Sequence, residues 1–245
     1  MYTSKPKQQS ADRIGSGVRG FDQLVNGGFL ENRLYILSGP PGSGKTTFSA
    51  QFATHSAFDG KNCLYLSMHE TEHELRHDMS GYEFDIGSAL ENGRLKFLNI
   101  FDSSVERLLG ADKGDGHRSS VKNMTNRIVG FVNSHNVDVL VIDSTMLLQY
   151  FFPERNDGVI QFLSALKLAD VTTLMISEMT DPTAYSDEQY LAHGVVFLHN
   201  YLDAAGMTRG VQILKMRGTN IDCDIRKVNF SSDGLRVHPD QKVRE

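Results

Sequence analysis

Gly39-Pro40-Pro41-Gly42-Ser43-Gly44-Lys45-Thr46 is the stretch on which the reading of this chain turns. It meets every fixed position of G-x-x-x-x-G-K-[ST]. On its amino side, Leu34-Tyr35-Ile36-Leu37-Ser38 is a short apolar run that reads as a strand. On its carboxyl side, residues 46–58 carry Phe48, Phe52, Ala53 and Ala57 at helical spacing and stop at Asp59-Gly60, which predicts an amphipathic helix. A glycine-rich loop between strand and helix lets backbone N–H groups converge on phosphate oxygens, and the helix N-terminus adds positive potential. Lys45 is then placed to reach β- and γ-phosphates and the Thr46 hydroxyl to ligate Mg²⁺, with Gly39, Gly42, Ser43, Gly44 and Thr47 completing the cradle. The competing reading, a plain glycine-rich turn, is disfavoured by the agreement of motif and flanking pattern.

Such a site needs an acidic partner at the end of a buried strand, to hold the shell of the magnesium ion. Val139-Leu140-Val141-Ile142-Asp143 supplies one, and Asp143 read alone would otherwise be a helix cap. Together the two motifs predict an ATP or GTP site. The phosphate loop does not read the base.

Working outward, strands and helices alternate. Residues 63–68 and 94–100 read as strands, and 110–120 (GADKGDGHRSS) as a flexible loop. A helix is expected over 120–135, a strand over 137–142, a helix over 157–169 and a strand over 171–176. The second of these helices has Val159, Ile160, Phe162, Leu163 and Leu166 along one side. Runs as rich in β-branched residues as 137–142 suit strands covered on both faces of a parallel sheet. Beyond Gly194, residues 195–201, 210–216, 225–230 and 235–237 alternate with turn signals, as antiparallel hairpins do. The expected fold is α/β: a RecA-like phosphate-loop core with a mostly parallel central sheet, flanking helices and a C-terminal β-hairpin extension. Residues 1–12 read as a flexible tail, and 13–245 as a single domain.

At 245 residues the chain is long enough for a sizeable core, and 40 % hydrophobic with 22 % charged is ordinary for a globular protein. The formal net charge of −5 gives no global attraction to nucleic acid or acidic lipid. Two cysteines, Cys63 and Cys223, far apart and in no metal spacing, fit a reducing compartment. The polar N-terminus has no apolar signal core and no run approaches a membrane span, so a cytoplasmic location is expected.

One further motif asks to be read as a metalloprotease: His69-Glu70-Thr71-Glu72-His73 matches H-E-x-x-H. Zinc binding requires both histidines on one helical face. Here His69 directly follows a strand, and the capping box Thr71-x-x-Glu74 opens a helix only afterwards, so the match reads as accidental. A carboxylate at the end of this strand orients the attacking water in RecA-like ATPases, and Glu70 stands at or beside that position.

The chain also resembles the KaiC-like branch of the RecA superfamily, from about Arg13 onward. RIGSGVRGFDQLVNGGF (13–29) with its Gly27-Gly28 pair, GPPGSGKTT, LVIDS and LKMRGT (214–219) carry the likeness, the last being the most diagnostic. Single-domain archaeal members are the more similar. The resemblance implies ATP with Mg²⁺ at subunit interfaces of a homo-oligomeric ring, usually hexameric. It implies that Lys215 and Arg217 reach the γ-phosphate held by a neighbouring subunit. Side chains one residue apart on either side of Met216 leave a strand on the same face, and two cations there suit a polyanion. Glu178, two residues past the strand 171–176, resembles the family's γ-phosphate sensor, and a structural ion pair is the alternative. Three departures stand out. His69 takes the place of the first of two glutamates, leaving Glu70 or His69 itself as the base; Gln189 and Tyr190 align near a Ser-Thr phosphoacceptor pair; and Thr219-Asn220-Ile221 lacks a usual histidine.

The expectation is therefore a slow ATPase or ATP-driven switch that signals to an unidentified protein partner. Two alternatives are a non-hydrolysing ATP-binding scaffold and a recombination protein of the RecA or Rad55 type. The last needs basic loops, whereas 180–192 (TDPTAYSDEQYLA) holds Asp181, Asp187 and Glu188 with no Lys or Arg, which speaks against DNA.

Overall fold

The computed structural model describes residues 12–100, 117–146, 157–184, 186–203 and 206–243. Residues 1–11 of the expected tail, and 110–116 of the expected loop, lie outside them. Position 12 is already tied in, since the Asp12 carbonyl accepts from the Glu31 amide at 3.0 Å.

In chain order the elements are β1 (Arg13–Ile14), α1 (Phe21–Leu24), β2 (Phe29–Leu30), β3 (Leu34–Ser38), α2 (Lys45–Phe58), β4 (Cys63–Ser67), α3 (Glu72–Met79), α4 (Ile86–Glu91) and β5 (Leu95–Asn99). There follow α5 (His117–Ser134), β6 (Val139–Asp143), α6 (Asp157–Lys167), β7 (Thr172–Ser177), α7 (Asp187–Leu191), β8 (Gly194–Asp203), β9 (Gly206–Met216), β10 (Arg226–Ser231) and β11 (Gly234–Lys242). Nine strands form one sheet in the order β11-β10-β9-β8-β3-β7-β6-β4-β5. From β8 through β5 neighbouring strands are parallel, and β8 to β11 are antiparallel. The mixed α/β core with antiparallel C-terminal strands is thus as the sequence pattern indicated.

Alternation along each central strand divides the core in two. In β6, Val139 and Val141 join the cluster on the α2 face, while Leu140 and Ile142 face the side covered by α5 and α6. Strands buried on both faces have no polar alternation to show, which is why they read as continuous apolar runs.

Three expectations need correction, and five short elements went unread. The helix after the glycine loop is not amphipathic: eleven of its fourteen residues are buried, because the sheet, α4 and β11 enclose it from several sides. Ile160 is 44 % exposed and leaves the buried side of α6, where Val159, Phe162, Leu163 and Leu166 remain. The supposed loop 110–120 yields at least residues 117–120 to α5. Finally, β1, β2, α1, α4 and α7 were not legible at all, since pieces of two to six residues are too short to show a period.

An aromatic cluster seats α2. Phe21 meets Phe48 edge-on at 5.0 Å between ring centroids, and Phe29 meets Phe52 at 5.2 Å. All four rings are fully buried. Removing one such ring costs about 3–5 kcal/mol through lost burial and the cavity left behind, so the helix that carries the glycine loop is rigidly held.

Candidate functional site

The glycine loop leaves β3 at Ser38 and enters α2 at Lys45. Gly44 sits at φ 103°, in the left-handed region, and a Cβ there would come within 2.7 Å of the Phe230 ring. At Gly39 a Cβ would stand 2.3 Å from the Leu198 carbonyl oxygen. Both positions therefore require glycine, for approach as much as for conformation. No side chain caps the start of α2, so its first-turn amides are left for an anion. The Ser43 hydroxyl is buried in this cradle without a hydrogen-bond partner. Outside the loop, the Asn200 amide donates to the Pro41 carbonyl at 3.2 Å and Arg209 Nε to the Gly42 carbonyl at 3.3 Å, bracing it from the β8–β9 hairpin.

Across the loop, β6 delivers Asp143. Its Oδ2 accepts from the Thr46 hydroxyl at 3.3 Å and from the Tyr65 hydroxyl at 2.9 Å, and Tyr65 in turn lies 3.0 Å from Ser49 Oγ. This answers the helix-cap alternative, since the carboxylate is directed to α2 and β4. Burial pushes the Asp143 carboxyl above its usual range, and the Tyr65 and Thr46 hydroxyls partly oppose that. The pair Thr46–Asp143 is the donor set that suits a hard cation with oxygen ligands. Lys45 Nζ donates to the Gly39 carbonyl at 2.8 Å and to the Pro40 carbonyl at 3.1 Å, and lies 3.4 Å from Glu178 Oε2. Thr47, which follows Thr46 in α2, is buried and borders the cleft over the loop.

His69 and Glu70 follow β4, whose last residue, Ser67, pairs with Asp143. Both of their amides donate to Ser67 Oγ, at 3.2 and 3.0 Å, which fixes the turn. His69 Nε2 lies 3.4 Å from Ser144 Oγ. Glu70 is partly buried, and its carboxyl is pushed up to about 7 by desolvation first and by Asp143, Asp78 and Glu74 after it. The capping box is present: Glu74 N donates to Thr71 Oγ1 at 3.2 Å, and Thr71 N to Glu74 Oε2 at 2.7 Å. His69 thus lies before the helix and His73 on it, where its ring stacks on His77. The two do not share a helical face, and the zincin geometry is absent.

Lys215 and Arg217 are not brought to this place. Met216 pairs with Gly194, and Gly194 with Tyr35 near the start of β3, whereas the glycine loop follows the end of β3. Tyr35 to Ser38 alone is roughly 10 Å of strand at about 3.3 Å per residue. Lys215 Nζ donates to the Gln189 and Tyr190 carbonyls at 2.9 and 3.0 Å, and Arg217 Nη2 to the Tyr190 carbonyl at 3.4 Å. Arg217 lies one residue beyond β9, so the shared aim comes from the turn as well as the strand.

A cleft of about 480 Å³ opens over the glycine loop, lined also by Tyr82, Glu178, Arg209 and Phe230. Arg209 lies over the Phe230 ring at 5.1 Å. Sequence reasoning missed Tyr82, Arg209 and Phe230. The only available signal was that three elements distant in sequence each carry one large planar group, and a single sequence cannot show that they converge. The cradle, the orphaned Ser43 hydroxyl and the cleft fit a nucleoside triphosphate, and Thr46 with Asp143 fits Mg²⁺.

A glycine loop between the first parallel strand and a buried helix, facing an acid at the end of β6, defines a RecA-like phosphate-loop fold. A family model described as "ATPase: KaiC" matches residues 14–242, and the chain belongs to that family. It is 28 % identical to the circadian clock oscillator protein KaiC of Parathermosynechococcus lividus over 245 residues, covering 96 % of this chain but 42 % of that protein. It is 24 % identical to a UPF0273 protein of Pyrococcus horikoshii, covering 95 % of this chain and 96 % of the relative. Among solved structures it resembles a KaiC-like protein of Pyrococcus horikoshii OT3, with a TM-score of 0.78, 26 % identity and 94 % of this chain covered. The chain therefore spans less than half the length of the clock proteins it matches and nearly all of the archaeal relative. No helix among the described residues is long and apolar enough to cross a membrane.

Proposed function

We propose that this chain binds Mg-ATP at the interfaces of a homo-oligomeric ring, hydrolyses it slowly and signals its nucleotide state to a protein partner. One observation carries this reading. Lys45, Thr46, Asp143 and Glu178 gather at the glycine loop, past the carboxyl ends of the parallel strands, while Lys215 and Arg217 stand toward the amino ends of those strands. Among the described residues that line the cleft, Lys45 and Arg209 are the ones that carry positive charge, which leaves room for a further cation pair supplied by another copy. A hexamer, residues 13–245 as one domain, and a reducing cytoplasm belong to the same reading.

In it, Gly39, Gly42, Ser43, Gly44 and Thr47 cradle the phosphates with the first turn of α2. Lys45 exchanges the Gly39 and Pro40 carbonyls for phosphate oxygens, and Thr46 with Asp143 would hold Mg²⁺, which when bound would supply neutralisation of phosphate charge. Glu178, released from Lys45, senses the γ-phosphate. Tyr82 and Phe230 offer apolar faces to the base. Glu70, with a carboxyl near neutrality, is suited to accept the proton of the attacking water. Arg217 and Lys215 of the neighbour stabilise charge in the transition state.

A second reading, the non-hydrolysing scaffold, is favoured by His69 itself, an imidazole 3.4 Å from Ser144 Oγ at the end of β4 where a glutamate would be expected. Phosphate release from Mg-ATP by the purified protein separates the two, with Lys45→Ala as control and native mass measured alongside. Lys45-dependent turnover in an oligomer supports the first reading; tight ATP binding without turnover supports the second.

A further inference from the structure

A short run of contacts joins the glycine loop to the Lys215–Arg217 pair, and Gln189 is its middle. This side chain is 1 % exposed. Its Oε1 accepts from the Ser186 amide at 3.4 Å within the capping box of α7, which turns the amide nitrogen inward. That nitrogen donates to Ser38 Oγ at 3.3 Å and lies 2.9 Å from Met179 Sδ. Ser38 is the residue immediately before Gly39. The Gln189 backbone carbonyl meanwhile accepts from Lys215 Nζ at 2.9 Å.

The segment from Glu178 to α7 is thus held at both ends. Glu178 meets Lys45 at 3.4 Å, and Lys45 also holds the Gly39 carbonyl at 2.8 Å. Phosphate that takes Lys45 away therefore frees the start of the segment and the residue beside Ser38 together. At the far end three cations gather on the last carbonyls of α7: Lys215 on Gln189 and Tyr190, Arg217 on Tyr190, and Lys167 on Leu191 at 3.4 Å. Arg33 adds to the same positive field, which acts on His193 between them. Like charges packed this closely repel one another, so neutral carbonyls hold them weakly against a competing polyanion.

We propose that Gln189 is a positioning residue, tying the state of a subunit's own phosphate loop to the aim of the cation pair it offers a neighbour. This rests on the reading that Lys215 and Arg217 act across an interface. Adjacent nucleotide sites are then coupled through one buried amide rather than through the ring as a whole. A purely structural role, holding α7 in place, makes a different prediction, because it does not depend on the cations.

The test is a cycle of Gln189→Met against Lys215→Ala/Arg217→Ala, read as kcat for Mg-ATP. The preference for fluorescent mant-ATP over mant-ADP is read in parallel, so a protein without turnover still reports. In the parent, Gln189→Met lowers both by ~5- to 20-fold with the mant-ADP affinity unchanged. In the cation-less background it has no further effect. Ser38→Ala reproduces the loss, Gln189→Glu, able to accept from the Ser38 hydroxyl, restores most of it, and Ser38→Ala carries the test should Gln189→Met not fold. An equal loss in both backgrounds means that Gln189 serves only its own cradle, and overturns the proposal. If Lys215→Ala/Arg217→Ala alone changes neither readout, the cross-interface reading itself falls, and this inference with it.

Discussion

The two edges of the parallel strands differ in kind. At the carboxyl edge, Lys45 pairs with Glu178 and Thr46 with Asp143, so the contacts that define the site are internal. At the amino edge, Lys215, Arg217 and Lys167 meet only backbone carbonyls among their hydrogen bonds, with no carboxylate within ion-pair distance of them among the described residues. Charge that is paired inside a chain serves that chain. Charge of one sign gathered on carbonyls keeps its attraction for an anion, and the proposed function has a neighbouring copy supply one.

The largest test of that contrast is Arg217→Ala. If the amino edge completes a neighbour's site, kcat falls by ~10³–10⁵, as for other arginine fingers, while affinity for mant-ADP, which has no γ-phosphate, changes little. Mixing this variant with Lys45→Ala subunits should return part of the phosphate release; no return from any ratio of the two would mean that the edges do not work on each other.

Next in size is Glu70→Gln, expected to cost ~10²–10⁴ in kcat if Glu70 is the base. In the parent, turnover should fall as pH drops below about 7, where this carboxyl takes up its proton. Stability moves the other way. A carboxyl whose folded-state pKa is raised contributes stability that is present below its ordinary range and lost as pH rises through about 7. Glu70→Gln should therefore raise stability at pH 8 by about 1–2 kcal/mol, allowing for solvent screening at a half-buried group. Denaturant titrations at pH 3.5 and pH 8 check this: the gain should all but vanish at the lower pH, below the ordinary carboxyl range.

Lys45→Ala sharpens the carboxyl edge alone. Losing a charge-assisted contact of about 3 kcal/mol weakens mant-ATP binding by ~100-fold, while leaving the cations of the amino edge able to serve a neighbour. Smallest is Tyr82→Ala. If the ring stacks on the base, affinity for ATP drops by ~10-fold, about 1–2 kcal/mol. Affinity for inorganic triphosphate, which has no base, should hold.

Legibility followed the same division. The glycine loop, Asp143 and Glu178 were readable because each is fixed by local pattern: a loop between strand and helix, and acids at the ends of apolar runs. His69 was separated from His73 by the capping box at Thr71, also a local signal, and the structure agrees. Tyr82, Arg209 and Phe230 were not readable, for they come from a turn, a hairpin strand and the next strand along. The all-round burial of α2 escaped too, because small polar residues such as Ser49, Thr54 and Ser56 look like a solvent face until α4 and β11 cover them.

By itself, then, the sequence determined the class of chemistry and the order of the longer strands and helices, since both rest on steric and periodic rules that act over a few residues. Tertiary structure alone decided which aromatic rings meet the glycine loop, and that Gln189 bridges Ser38 to Lys215. It also decided that the cation pair faces away from its own cradle. Those outcomes depend on the register and crossing of strands far apart along the chain, where no local propensity reaches.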